Sequence, residues 1–257
     1  MPDVSPTLLA LLGLAALAAG YVDAVVGGGG LIQLPALLVA FPALAPVHLL
    51  ATNKLSSLCG TTAAAVTFTR TVRPDPRTAL TFMACAFGGS AAGSAVASHV
   101  PRAVFDPIIL VVLIGVGGWV VLRPALGVHT ALRWHGAAEL VALGVVGAAI
   151  GFYDGSIGPG TGSFLTIALV GLVGYSFLEA TARAKLANWA TNLASLVVFV
   201  PQGVVMWRLG IVMGLCNLVG GWLGARTALR VGTGLVRAFF IVVVAAFAVR
   251  IAWGLVS

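Results

Sequence analysis

Gly20-Tyr21-Val22-Asp23-Ala24-Val25-Val26-Gly27-Gly28-Gly29-Gly30 and Gly151-Phe152-Tyr153-Asp154-Gly155-Ser156-Ile157-Gly158-Pro159-Gly160-Thr161-Gly162 are two versions of one pattern, set 131 positions apart. The same offset pairs Lys54-Leu55 with Lys185-Leu186, Phe68 with Phe199, Arg77 with Arg208 and Cys85 with Cys216. It also pairs Gly89 with Gly220 and Gly93 with Gly224, and no insertion interrupts it. Chance likeness between apolar segments would match leucine and valine, not lone Asp, Lys and Cys. The chain therefore reads as an internal duplication. Residues 1–126 form a first repeat and residues 132–257 a second, within one integrated domain.

Composition says what solvent surrounds the repeats. Of 257 residues, 60% are hydrophobic and 8% charged, against roughly 25% charged in an ordinary soluble domain. A soluble fold of this size could not bury so much apolar surface, so the solvent is lipid. Lipid admits only helices or a closed barrel, and barrel strands alternate apolar with polar residues. Ile108–Val121 and Phe239–Ala248 show no alternation. The expectation is an all-α polytopic membrane protein. Its segments fall at about 8–26, 28–42, 46–69, 78–100 and 104–122, then at about 137–157, 161–177, 180–200, 209–230 and 235–256. Since a span needs about 20 apolar residues, 28–42 is short, and the count is 8–10 transmembrane segments.

Parity decides how the halves lie. If the glycine turn at 27–30 reverses the chain, each half has an odd number of crossings and the halves are inverted. If 28–42 re-enters after a crossing helix, they are parallel. Cytoplasmic loops collect Lys and Arg. The inverted reading puts Arg70, Arg73, Arg77, Arg123, Arg133, Arg226, Arg230 and Arg237 on one side and Arg102, Arg208 and Arg250 on the other. This split favours inverted repeats with both termini periplasmic. Residues 1–7 lack the cationic region of a secretory signal, so the start is read as a retained helix.

Several classes fall away. The net charge of +7 is spread over short loops, as membrane orientation requires, and no nucleic-acid partner is expected. Cys59, Cys85 and Cys216 are scattered and odd in number, which predicts packing residues instead of a disulfide or zinc site. No HExxH, GxSxG or convergent His/Cys set supports an enzyme, a metal or a cofactor.

The residues that need explaining are the costly ones. Lys54 lies about eight residues into its span, hence roughly 12 Å deep, and Lys185 matches it in the other half. An ionisable residue at that depth is functional by default, although pairing with Asp23 or Asp154 merely to hold helices together is the competing reading. The breaks Gly27–Gly30 and Gly158–Gly162 permit unwound backbone, which membrane depth tolerates only around a cavity or inside protein. Helices restarting there aim N–H groups at that cavity. Short Gly/Pro-interrupted segments at matching places in two halves point to a transporter site. The candidate substrate-binding residues are Lys54, Lys185, Thr52, Asn53, Asn188, Asn192, Gly28, Gly29, Gly30, Gly160, Thr161 and Gly162. Asp23 and Asp154 admit three roles: proton carriers, N-caps or lysine partners. Close helix packing suits Gly88-Gly89 with Gly93, and Gly220-Gly221 with Gly224. Trp134 and Trp207 flank spans as interface anchors do, and Trp189 sits deep enough to line a pathway.

The string from Asp23 through Gly30-Leu31 with Pro35 resembles the TauE/SafE family. So do Thr52-Asn53-Lys54-Leu55, Asp154 through Gly162-Ser163-Phe164, and Lys185-Leu186 with Asn188 and Asn192. The likeness covers essentially the whole chain. It implies export of sulfite, sulfonates or related sulfur oxyanions across the bacterial inner membrane. Ala184 departs from the pattern, giving no polar group where Asn53 stands. The expected function is thus a secondary transporter of small anions, working by alternating access and open to proton coupling. Its partners would be a small anion, the bilayer and, in an assembly, further copies of itself. A passive anion channel and a structural membrane subunit are the alternatives.

Overall fold

The computed structural model describes residues 5–97 and 129–231. The segments expected at 104–122 and 235–256, with Arg102, Arg123, Arg237 and Arg250, lie outside the described residues. The described chain is entirely helical. In order the helices are α1 (Pro6–Val26), α2 (Gly30–Ala40), α3 (Pro46–Val72), α4 (Pro76–Val96), α5 (Ala137–Ser156), α6 (Thr161–Ala168, prolonged by a π-turn over Leu169–Val173), α7 (Phe177–Phe199) and α8 (Trp207–Val231). Local chemistry sets several starts. Ser5, Asp75 and Ser176 cap α1, α4 and α7 through side-chain oxygens, and Pro6, Pro46 and Pro76 occupy first-turn positions, where a missing N–H costs nothing.

Among the described residues, four helices are long and apolar enough to cross a membrane: Pro6–Val26, Pro76–Val96, Ala137–Ser156 and Trp207–Arg230. The chain is a multi-pass membrane protein, and large apolar side chains such as Leu14, Val39 and Val141 project outward. Helices α3 and α7 are as long but less apolar, because they form the centre of the molecule and carry its polar residues inward. They run antiparallel. The start of α3 packs on the end of α7 through Leu49, Leu50, Leu196 and Phe199, and the end of α3 meets the start of α7 through Ala64, Phe68, Leu178 and Ala182.

The other helices clasp this pair in contacts that recur at the offset of 131. A Cβ on Gly89 would stand 2.1 Å from Ala148 O, and one on Gly220 would stand 2.0 Å from Leu17 O. Gly93 faces Phe152 O as Gly224 faces Tyr21 O, and Gly20 faces Asn217 O as Gly151 faces Ala86 O. Cys85 fills a notch at Gly144, and Cys216 one at Gly13. In each pair, a residue of one half meets a residue of the other. The thiols are free and behave as small packing groups. Gly88 differs from its neighbours: among the described residues nothing lies within 4 Å of its Cβ position, so it takes no part in the close packing between the described helices.

Helices α1 and α2 form a hairpin. Leu12 and Ala16 pack with Leu34 and Leu37, and a Cβ on Gly29 would meet Ala19 O at 2.6 Å. The glycine run thus reverses the chain. Gly27 has φ +85°, and Gly158 and Gly160 have φ +96° and +84° in the second hairpin. These are left-handed values that only glycine adopts readily.

Candidate functional site

The two hairpin tips meet each other in the interior. Ser163 N donates to Gly27 O at 3.0 Å, and Ser163 Oγ donates to Val26 O at 2.8 Å. A Cβ on Gly162 would lie 2.7 Å from Gly27 Cα. Only glycine lets these backbones come so close.

Beside the tips stand two ion pairs that cross between the halves. Lys54 Nζ on α3 is 2.7 Å from Asp154 Oδ1 on α5, with both side chains essentially sealed from solvent. Lys185 Nζ on α7 is 3.2 Å from Asp23 Oδ2 on α1, and it also donates to the Asp23 carbonyl. Each lysine of one half of the chain therefore holds the aspartate of the other half. Both aspartates sit in the last turn of their helix, where the helix dipole disfavours negative charge; the lysines compensate. Neither is an N-cap, so of the roles open to them the structure displays lysine partnership. Thr161 Oγ1 lies 2.7 Å from Asp154 Oδ1, and Gly29 N donates to Asp23 Oδ1 at 3.3 Å.

A small cavity, about 20 Å³, opens between these groups, room for about one water. Its walls are Asp23, Asp154, Lys54, Asn53, Ser57, Asn188, Asn192, Thr161 and the glycines at 27, 30, 158, 160 and 162. Two of its lining residues carry a buried polar atom without a hydrogen-bond partner, Asn53 Oδ1 and Asp154 Oδ2. Such atoms are rare in folded proteins and call for an explanation. Gly30 and Gly162 lie in the first turns of α2 and α6, so their amides have no carbonyl four residues back within their own helix.

Of the residues expected from the sequence, Lys54, Asn53, Asn188, Asn192, Gly30, Gly160, Thr161, Gly162, Asp23 and Asp154 come together on this cavity. Others do not. Lys185 is fully buried behind Asp23 and forms no part of the wall. Thr52 points away: its hydroxyl donates to His48 O and accepts from Met206 N, tying α3 to the start of α8. Gly28 and Gly29 shape the turn without reaching the cavity. Trp189 donates to Thr62 on an exposed stretch and lines nothing central. Trp134 and Trp207 are about half exposed.

Ser57 was overlooked, although it follows Lys54 by three positions and so shares its helix face. Arg183, overlooked too, is buried near the start of α7, stacked 4.0 Å over the Tyr175 ring, with its Nε unpartnered. Its signal was plain: a cation six residues inside a span.

A helical membrane protein with a central charged cavity framed by two glycine-broken hairpins defines a class. The comparisons then give the family: the model for "Sulfite exporter TauE/SafE" matches residues 12–251. The chain is 34% identical over 255 residues to the "Probable membrane transporter protein ORF9" of Sinorhizobium sp, covering 98% of this chain and 95% of that protein. It is 34% identical over 249 residues to the "Probable membrane transporter protein YfcA" of Escherichia coli K12, covering 96% and 91%. A "Probable membrane transporter protein" of Haemophilus influenzae is 33% identical over 240 residues, covering 93% and 92%. No solved structure matches. The chain belongs to the TauE/SafE family of membrane transporters.

Proposed function

We propose that the protein is a secondary transporter that exports small anions, sulfite, sulfonates or related sulfur oxyanions, through the bacterial inner membrane. The observation that carries this reading is the cavity between the hairpin tips: buried, lined by Lys54 and amides, and holding polar atoms without partners. Lys54 supplies charge, the free amides of Gly30 and Gly162 face the oxyanion, and Asn53, Ser57, Asn188 and Asn192 orient it. The sulfur oxyanion class rests on the family match. At its present size, about 20 Å³, the cavity is too small for a polyatomic anion, so loading requires it to widen.

The halves are read as inverted repeats. Helices α3 and α7 are equivalent under the offset and antiparallel, and a two-fold axis relating antiparallel spans lies in the membrane plane. Alternating access then follows from rocking one half against the other about a fixed site.

The test is a thermal-shift screen of the purified chain against sulfite, thiosulfate, sulfate, methanesulfonate and acetate, followed by flux in proteoliposomes. A ligand that binds only the folded state stabilises it by about 2.7 kcal/mol at a hundred times its Kd. Sulfur oxyanions should raise the melting point and cross the vesicle membrane, with Asn53→Ala weakening both. No shift and no flux for any of the five would refute the proposal.

A further inference from the structure

The cavity's charge balance has a consequence for an anion carrier, and it rests on the anion-transport reading above. The two aspartates and two lysines at the site carry formal charges that cancel. Among the described residues no other charged side chain lines the cavity. The helix ends cancel as well. The N-terminal ends of α2 and α6 each bring about half a positive charge, and the C-terminal ends of α1 and α5 bring about half a negative charge each to the same two hairpin tips. An anion entering this neutral, buried place would be an uncompensated charge beside two carboxylates, which burial penalises heavily.

We infer that anion binding is obligately coupled to uptake of one proton by Asp154, so that a monoanion and a proton move together and the loaded site stays neutral. Three observations select Asp154. The residue lines the cavity, and its Oδ2 is buried and unpartnered. Its Oδ1 occupies Lys54, the lysine of the two that lines the cavity. Asp23, by contrast, shares Lys185 behind the wall and also accepts from Gly29 N. A proton from the aqueous side being sampled adds to Oδ2, turning the carboxylate into a carboxylic acid; no other bond changes. Lys54 is then released to the anion, and the new O–H donates to it. Among the described residues the other titratable group beside Asp154 is Tyr153, whose hydroxyl is committed to Pro159 O at 2.7 Å. For a monoanion the step is electroneutral. Membrane potential does not drive it, and export proceeds when the outward anion gradient exceeds the inward proton gradient.

The experiment uses the full chain in vesicles with a trapped pH dye, methanesulfonate as the anion because it does not itself titrate, and potassium with valinomycin to clamp the potential. Inward methanesulfonate should acidify the lumen with one proton per anion. The rate should be the same with the potential clamped at zero or negative inside. The half-saturating concentration should rise about tenfold per pH unit where the free carboxyl is ionised. Asp154→Asn should carry methanesulfonate without acidification, with an affinity indifferent to pH. Methanesulfonate flux without lumen acidification in the unaltered protein would overturn the inference, whether or not the variant folds. Acidification persisting in D154N would overturn the assignment to Asp154. If neither methanesulfonate, sulfite nor sulfate moves at all, the transport reading itself falls and takes the coupling with it.

Discussion

Removing Lys54 should unbalance the molecule more than removing Lys185. Lys54 and Asp154 approach to 2.7 Å with side chains 2% and 3% exposed. At an effective dielectric near 20, two unit charges at that distance attract by about 6 kcal/mol, most of it offset by their desolvation. Truncating one member of such a pair typically costs about 3–5 kcal/mol, because the other is left buried and uncompensated. In Lys54→Met the orphan is Asp154, whose Oδ2 already lacks a partner and whose Oδ1 would keep only Thr161. In Lys185→Met the orphan is Asp23, which is 14% exposed and retains the Gly29 amide. We expect losses of about 3–5 kcal/mol for K54M and smaller ones for K185M. The double variant K54M/D154L should recover most of the lost stability, since apolar replacement of a whole buried pair is often neutral, while flux stays abolished. Chemical unfolding in nanodiscs, arranged as a double-mutant cycle, measures this. A K54M protein as stable as the parent, or a double variant as unstable as K54M, would refute the reasoning.

Further expectations concern packing, capping and topology. Gly89→Ala would drive a Cβ to 2.1 Å from Ala148 O, whereas Gly88→Ala meets nothing within 4 Å. The first should lower the unfolding midpoint by an overpacking cost of about 1–3 kcal/mol, and the second should match the parent or gain up to about 1 kcal/mol of helix propensity. Asp75 caps α4 by accepting from Thr78 N at 2.9 Å, and that bond, aided by the Thr78 hydroxyl and Arg183, holds its pKa below the ordinary 3.8. A depressed carboxyl stabilises above its unfolded pKa and loses that contribution as pH falls through the folded one. Asp75→Asn, which still caps, should therefore flatten the acid limb of a pH–stability curve below about pH 4. Single cysteines at Arg73 and Gln202, in a background without the native thiols, should react with an impermeant maleimide from opposite sides of the membrane. Labelling of both from one side would overturn the inverted arrangement.

Much of the fold was legible because its signals are local. The glycine run from Gly27 to Gly30 and the Gly158–Gly162 break ended helices where expected, and Lys54 announced its cost from its depth alone. The membrane class followed from composition. What the residues could not reveal was pairing. Asp23 and Asp154 are each compatible with either lysine, and only the packing of α1 and α5 around α3 and α7 decides that the pairs cross between halves. The same ignorance of rotation about a helix axis put Thr52 on the cavity, when a turn of α3 carries it to His48 O and Met206 N. Lys185 was placed symmetrically with Lys54, but Asp23 stands in front of it. Symmetry in sequence fixes equivalent backbone positions and leaves the side chains free to differ.

Those differences bear on how the site can work. On one side of the centre Gln33 Oε1 accepts from Ser56 Oγ at 3.2 Å and from Asn217 Nδ2 at 2.7 Å, while Gln33 Nε2 has no partner. The positions at the offset of 131 are Phe164, Ala187 and Ala86, all apolar. On the other side Ser90 Oγ donates to Thr191 O at 2.8 Å and Ser94 Oγ to Ser195 Oγ at 2.9 Å. Their equivalents are Gly221, Gly60, Ala225 and Ala64. A strictly two-fold protein would present one environment to both approaches and would load and unload alike from either side. Here equivalent backbone positions recur, yet one buried polar cluster is built from two amides and a hydroxyl and the other from hydroxyls alone, so the two halves of the chain are not chemically equivalent.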